Sequence, residues 1–103
     1  MKKQFNKEKF FIIRTHSAGV WFGQVKEVEA SIAVITNARR LWQWAGAASL
    51  SQLAIEGVKN PSGCKFTMTI TDEEGVYLPQ VIEILPCTPE AVENINAVPV
   101  WKR

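Results

Sequence analysis

Hydrophobic and polar positions alternate through most of this chain, the two-residue period of strands rather than helices. Residues 9–14 form a short apolar run and predict a first strand. Residues 15–19, Thr-His-Ser-Ala-Gly, predict a turn. Residues 20–26 alternate around Gly23, which predicts a bulge. Residues 28–35 alternate again, with Val28, Ala30, Ile32 and Val34 opposed by Glu29 and Ser31. Thr36 and Asn37 predict a turn into a further strand, Arg39-Arg40-Leu41-Trp42-Gln43-Trp44, closed by Gly46. Four successive strands with short connections predict an antiparallel meander.

The period then changes. Leu50, Leu53, Ala54 and Gly57 keep the i, i+3, i+4, i+7 spacing of an amphipathic helix over residues 49–58. Ser49 with Gln52 is a capping-box pattern: the serine oxygen accepts an early backbone N–H, and the glutamine returns to the serine N–H. Gly57 and Pro61 stop the helix. Residues 60–63 are a turn, and residues 65–71 alternate as a strand. Residues 72–75 read as a hairpin tip and residues 76–85 as the return strand, with Pro79 confining part of it to an edge or bulge. Thr88-Pro89-Glu90 starts a short helix over residues 89–95. The tail from Val98 to Arg103 reads as extended, with Trp101 docked on the domain or on a neighbouring subunit. The expected fold is α+β: a bent antiparallel sheet or partial barrel with one main helix and a short C-terminal one.

With 103 residues, one domain is expected, over residues 9–103, behind a flexible basic N-terminus over residues 1–8 that holds Lys2, Lys3 and Lys7. A net charge of +2 makes a nucleic-acid coating protein an unfavoured reading and requires any anion site to be local. No apolar run reaches the roughly 18 residues of a membrane span, and Phe10-Phe11-Ile12-Ile13 is too short for a signal-peptide core. Cys64 and Cys87 form no C-x-x-C motif, and His16 is the single histidine, so neither zinc nor any other metal or cofactor is expected. A nucleophilic triad has only His16 to draw on, on a predicted turn. The residues therefore point to binding, not to an enzyme.

The binding chemistry concentrates between residues 37 and 48. Two adjacent arginines and two of the four tryptophans fall within six residues there. In an extended strand, Arg40, Trp42 and Trp44 share one face, and Arg39, Leu41 and Gln43 the other. Arginine offers a fork for phosphate, and tryptophan a flat surface for a base. Arg14, at the end of the first strand, adds a third guanidinium, and Asn37 and Gln43 offer amides for base edges. The candidate ligand-binding residues are Arg14, Asn37, Arg39, Arg40, Trp42 and Trp44. The competing reading makes the tryptophans core and the arginines solvated. Under it Arg40 is the odd residue, because it shares the tryptophan face and must find a partner or reach out to water.

The pattern Ile13-Arg14-Thr15, Ser17-Ala18-Gly19-Val20, Asn37-Ala38-Arg39-Arg40-Leu41-Trp42-x-Trp44-x-Gly46-Ala47, Ser49-Leu50-x-x-Leu53-Ala54-x-x-Gly57-Val58, Cys64-Lys65-Phe66 and Ile82-x-Ile84-x-Pro86-Cys87-Thr88 resembles a family of small proteins encoded by bacteriophages and prophages. Several small phage proteins of this style are immune-evasion sponges. They assemble as oligomers and sequester cyclic nucleotides or cyclic ADP-ribose signals of host defences such as CBASS and Thoeris, without cleaving them. The resemblance implies such a role in the cytoplasm of an infected bacterium. The ligand would be a cyclic dinucleotide, a cyclic trinucleotide or a cyclic ADP-ribose isomer, bound by a homo-oligomer. The six candidate residues come from their chemistry, not from a matched sponge motif. The alternative function is a protein–protein module, a phage inhibitor of a host protein or a virion accessory, with tryptophans as interface anchors.

Overall fold

The computed structural model describes Lys2, Lys3 and residues 5–102. Met1, Gln4 and Arg103, which belong to the predicted basic N-terminus and extended tail, lie outside the described residues. The sheet is built from β1 (Lys2–Lys3), β2 (Phe10–Thr15), β3 (Val20–Glu29), β4 (Ile32–Gln43), β5 (Lys65–Phe66), β6 (Val76–Leu78) and β7 (Val81–Pro86). Helix α1 (Leu50–Glu56) lies between β4 and β5, and α2 (Pro89–Ala97) follows β7. The strand order is β5-β4-β3-β2-β7, with β1 beside β3 and β6 beside β4, and every pairing between these strands is antiparallel. β6 and β7 pair with β4 and β2 and not with each other, so the sheet bends without closing. This is the α+β architecture that the residue pattern predicts.

The bend has a traceable cause. Ten residues of β3 would span about 30 Å if straight. Yet Ser31, at the tip of the β3–β4 hairpin, accepts a hydrogen bond at 2.8 Å from Val81, which pairs with Thr15 near the start of β3. The hairpin therefore folds back over itself. Two bulges permit this. Phe22 pairs with Arg39 but Gln24 with Thr36, so β4 carries one extra residue near Asn37. Val25 pairs with Ile35 but Glu27 with Val34, so β3 carries the other at Lys26. Bulges sharpen local twist and bend. Gly23 sits at the first one, where a Cβ would stand 2.9 Å from the Thr36 carbonyl oxygen.

The strands predicted over residues 28–35 and 39–44 are thus corrected to one long β3 and one long β4. The turn is at Ala30 and Ser31, not at Thr36 and Asn37. The apolar alternation continues straight across a two-residue turn, which hides it. Asn37 does adopt the left-handed backbone (φ 49°) that asparagine tolerates, but uses it for a bulge. The hairpin predicted over residues 65–71 and 76–85 is also corrected. Phe66 pairs with Leu41, Ile70 bridges Ala38 and Val76 pairs with Ile35, so residues 66–78 run as one interrupted edge along β4. Residues 72–75 loop out of that edge. The chain then crosses to the far edge through Pro79 and Gln80, the latter at φ 55°.

Both faces of the sheet are covered. One face carries Ile12, Phe22, Leu41 and Phe66 against Leu53 and Ala54 of α1 and Ala91 and Ile95 of α2. The bend encloses the other, with Phe11, Ile13, Trp21, Val25, Ala33, Ile35 and Leu78. Helix α1 begins as expected, with Gln52 N donating to Ser49 Oγ at 3.1 Å. The glutamine side chain accepts from Ala48 N rather than from Ser49 N. Gly57 ends α1 at φ 77°, and Asn94 of α2 then both accepts from Val58 N and donates to Val58 O, fixing the two helices together. α2 begins at Thr88, which caps Ala91 N, and ends at Val98, whose extended backbone is the conformation that Pro99 imposes on the residue before it.

Candidate ligand-binding site

The two adjacent arginines of β4 have opposite environments. Arg39 points to the helix-covered face and is 3% exposed. Its Nε donates to Thr67 O at 2.7 Å, Nη1 to Ile95 O at 2.7 Å and Nη2 to Val98 O at 2.5 Å. The guanidinium also lies 5.3 Å from the Phe66 ring centroid. Burial lowers its pKa from the ordinary arginine value, with the nearby Cys64 acting in the opposite direction. The group ties β4 to the C-terminal end of α2, where a cation suits the helix dipole. Arg39 is therefore corrected from a phosphate ligand to a structural clasp.

Arg40 faces the other way, at the mouth of the bend. Its guanidinium carbon lies 4.0 Å from the Trp42 ring centroid and 5.8 Å from that of Trp21. Gly19 lets it lie flat there, because a Cβ at that position would meet Arg40 Nε at 2.8 Å. Among the described residues no carboxylate pairs with it. Trp21, its cross-strand partner, is buried and donates its indole N–H to Ala18 O at 2.9 Å. Trp21 is covered because the bend closes over that face too.

Trp42 is 56% exposed and, with Gln43, Lys65 and Trp101, lines an open cleft of about 410 Å³. Register places Lys65 opposite Gln43. Trp101 arrives from the C-terminal tail, where Val100 bridges Phe66 in parallel and Trp101 N donates to Phe66 O at 2.9 Å. The Lys65 ammonium stands 5.3 Å from the Trp101 ring centroid. Gln43 Nε2 donates to Gly63 O, which leaves its amide oxygen as an acceptor.

The other predicted site residues do not join this cleft. Trp44 lies beyond the end of β4, is half-buried and packs with the helix-covered cluster. Its predicted face sharing with Arg40 and Trp42 is lost where the strand stops. Arg14 donates to Glu83 Oε1 at 3.0 Å across the β2–β7 pair, in a different groove that Trp44 also lines. Asn37 donates to Gln24 Oε1 at 2.6 Å at the bulge and lines a separate hollow with Lys7 and Lys26. The cleft residues missed as ligand contacts are Lys65 and Trp101. Lys65 was readable only through the register of β5 on β4. Trp101 was expected to dock, but not where.

These features define an α+β protein with a curled antiparallel sheet, two helices on one face and a tryptophan–lysine cleft at the β4–β5 edge. Among the described residues, no helix is long and apolar enough to cross a membrane, and no cluster of metal-ligating side chains occurs. The chain belongs to the family DUF6948, a domain of unknown function, whose family model matches residues 8–95. That span contains Trp42, Gln43 and Lys65 and stops before Trp101. No curated protein and no solved structure matches the chain.

Proposed function

We propose that this protein binds a small anionic nucleotide in the Trp42–Lys65–Trp101 cleft and holds it without cleaving it. The observation that carries this reading is the cleft itself: two exposed indoles, one ammonium and one free amide acceptor on a single surface. Stacking of a base on an aromatic side chain contributes about 1–3 kcal/mol. The lysine supplies a phosphate contact. Arg40, stacked on Trp42 without a carboxylate partner among the described residues, adds positive charge beside the cleft. A volume near 410 Å³ suits a ligand of nucleotide size. The lining offers recognition groups and no acid–base pair, which favours sequestration over turnover. Taken with the resemblance to small phage proteins, the ligand would be a cyclic oligonucleotide or cyclic ADP-ribose immune signal in the infected cell, held by a homo-oligomer.

Calorimetry with cyclic dinucleotides, cyclic trinucleotides and cyclic ADP-ribose isomers tests the reading. Heat is expected for at least one, and the ligand should be recovered intact after the protein is heated. Hydrolysed ligand would refute the non-enzymatic part. A second reading, protein–protein docking, draws on Met68, Ile70 and Val100, exposed on the same edge of the molecule. Folded protein that gives no heat with the whole panel would favour that reading.

A further inference from the structure

Three of the four cleft residues stand on or beside β4 and β5, but Trp101 belongs to the tail that follows α2. Its position depends on where that tail is set down. Among the described residues, the tail beyond Val98 meets the sheet through the parallel Val100–Phe66 bridge, with Trp101 N donating to Phe66 O, and through Lys65 over the indole. Val100 and Trp101 are 40% and 39% exposed, against 3% for Val98. Pro99 between them and Val98 narrows the backbone and donates no hydrogen bond. At Val98 the situation reverses: its side chain is buried and its carbonyl oxygen accepts from Arg39.

The same guanidinium holds Thr67 O, on the edge against which the tail lies. Arg39 thus measures the distance between the last turn of α2 and the β4–β5 edge, with Ile95 O as a third point. Five donors in a rigid plane fix that spacing in a way a single ammonium does not. We infer that Arg39, which lines no part of the cleft, is the positioning residue that sets the C-terminal strap and thereby the Trp101 wall of the ligand site. The inference rests on the proposed binding function for its consequence but not for its geometry. The strap is anchored at Val98 and laid along β5 at Val100 and Trp101.

Amide hydrogen exchange by NMR on the full chain, without ligand, tests the positioning. In Arg39→Lys, exchange at the Trp101 amide should accelerate at least tenfold, while the Ile12 and Phe22 amides, on the core strands β2 and β3, keep their protection. Equal acceleration at all three, or none at Trp101, would overturn the inference. Where Arg39→Lys does not fold, Val98→Ala loosens the anchor itself, by trimming the buried side chain of the residue whose carbonyl oxygen Arg39 holds. Exchange at Trp101 and at the Arg39 Nε–H should then rise together; a rise at Trp101 with Arg39 unchanged would overturn it. A nucleotide that binds the native protein should bind Arg39→Lys about tenfold more weakly, as it does Trp101→Ala, and the double variant no more weakly than Trp101→Ala. Additive losses would show that Arg39 does not act through the tryptophan. If no nucleotide binds the native protein, the binding proposal fails and the exchange result still decides this one.

Discussion

β4 presents two sides to the rest of the molecule, and two consecutive arginines divide them. On the side of Arg39 the sheet is roofed by α1 and α2, and every donor direction of the guanidinium used there meets a backbone carbonyl. On the side of Arg40 the sheet bends over its own core and leaves the mouth of the bend open, so that guanidinium lies on indole faces. The residues are chemically identical and adjacent. What separates them is what a distant segment brings: the C-terminal turn of α2 closes over Arg39, and among the described residues no helix covers the side of Arg40. A buried arginine among carbonyls is structure; a half-buried one on tryptophans, without a carboxylate partner among the described residues, is a surface that can still bind.

The largest expected effect comes from breaking the covered side. Arg39→Met leaves Thr67 O and Val98 O without their donor, while Ile95 O keeps Val98 N. At about 1–3 kcal/mol per orphaned carbonyl, urea unfolding should show a loss of roughly 2–6 kcal/mol. A loss under about 1 kcal/mol would mean that water reaches the clasp.

Next is Gly19, which supports the open side. Gly19→Ala places a methyl against Arg40 at a backbone φ of +90°. The backbone strain should cost about 1–2 kcal/mol in thermal or urea unfolding, and the Arg40–Trp42 stack should loosen, visible as a change in tryptophan fluorescence.

The dryness of the covered side can be titrated. Burial pushes the Cys87 thiol up from 9.0 to about 12. The native state therefore disfavours the thiolate more than the unfolded chain does. Its contribution to stability is complete below about pH 9 and is lost as pH rises toward 12, at up to about 1.4 kcal/mol per pH unit. Cys87→Ala should flatten this part of the alkaline stability curve, and an unchanged curve would mean that the thiol is hydrated.

The smallest stability effect should come from Arg40→Ala. A partly exposed cation–π contact contributes about 0.5–1 kcal/mol, so the loss should stay under about 1 kcal/mol. A cost equal to that of Arg39→Met would erase the distinction between the two sides.

The residues made some of this legible and concealed the rest for identifiable reasons. Ser49, Gly57 and Thr88 act locally, through caps and backbone restrictions, and their helices fall close to where the residues place them. Strand identity was legible, but strand ends were not. The apolar alternation of residues 28–35 runs through a two-residue turn, so one long hairpin reads as three strands. Pairing partners were further from reach, since residues 65–71 alternate cleanly whether they meet residues 76–85 or β4. The site suffered most from this. That Arg40 and Trp42 share a face follows from alternation alone, and the stack bears it out. Arg39 could not be read as buried, because the carbonyls that hold it lie 28, 56 and 59 residues away in the chain.

The four indole N–H groups give the most direct test of the central claim, that the Trp42–Lys65–Trp101 cleft is the binding surface. Each tryptophan reports one environment: Trp21 inside the bend, Trp44 at the helix-covered cluster, Trp42 and Trp101 in the cleft. Proton–nitrogen NMR during titration with the cyclic nucleotide panel reads all four at once. One member of the panel should shift the Trp42 and Trp101 indole signals in a saturable way, with Trp21 and Trp44 nearly still. Saturable shifts confined to Trp44, or no shift in any indole with any member, would contradict it.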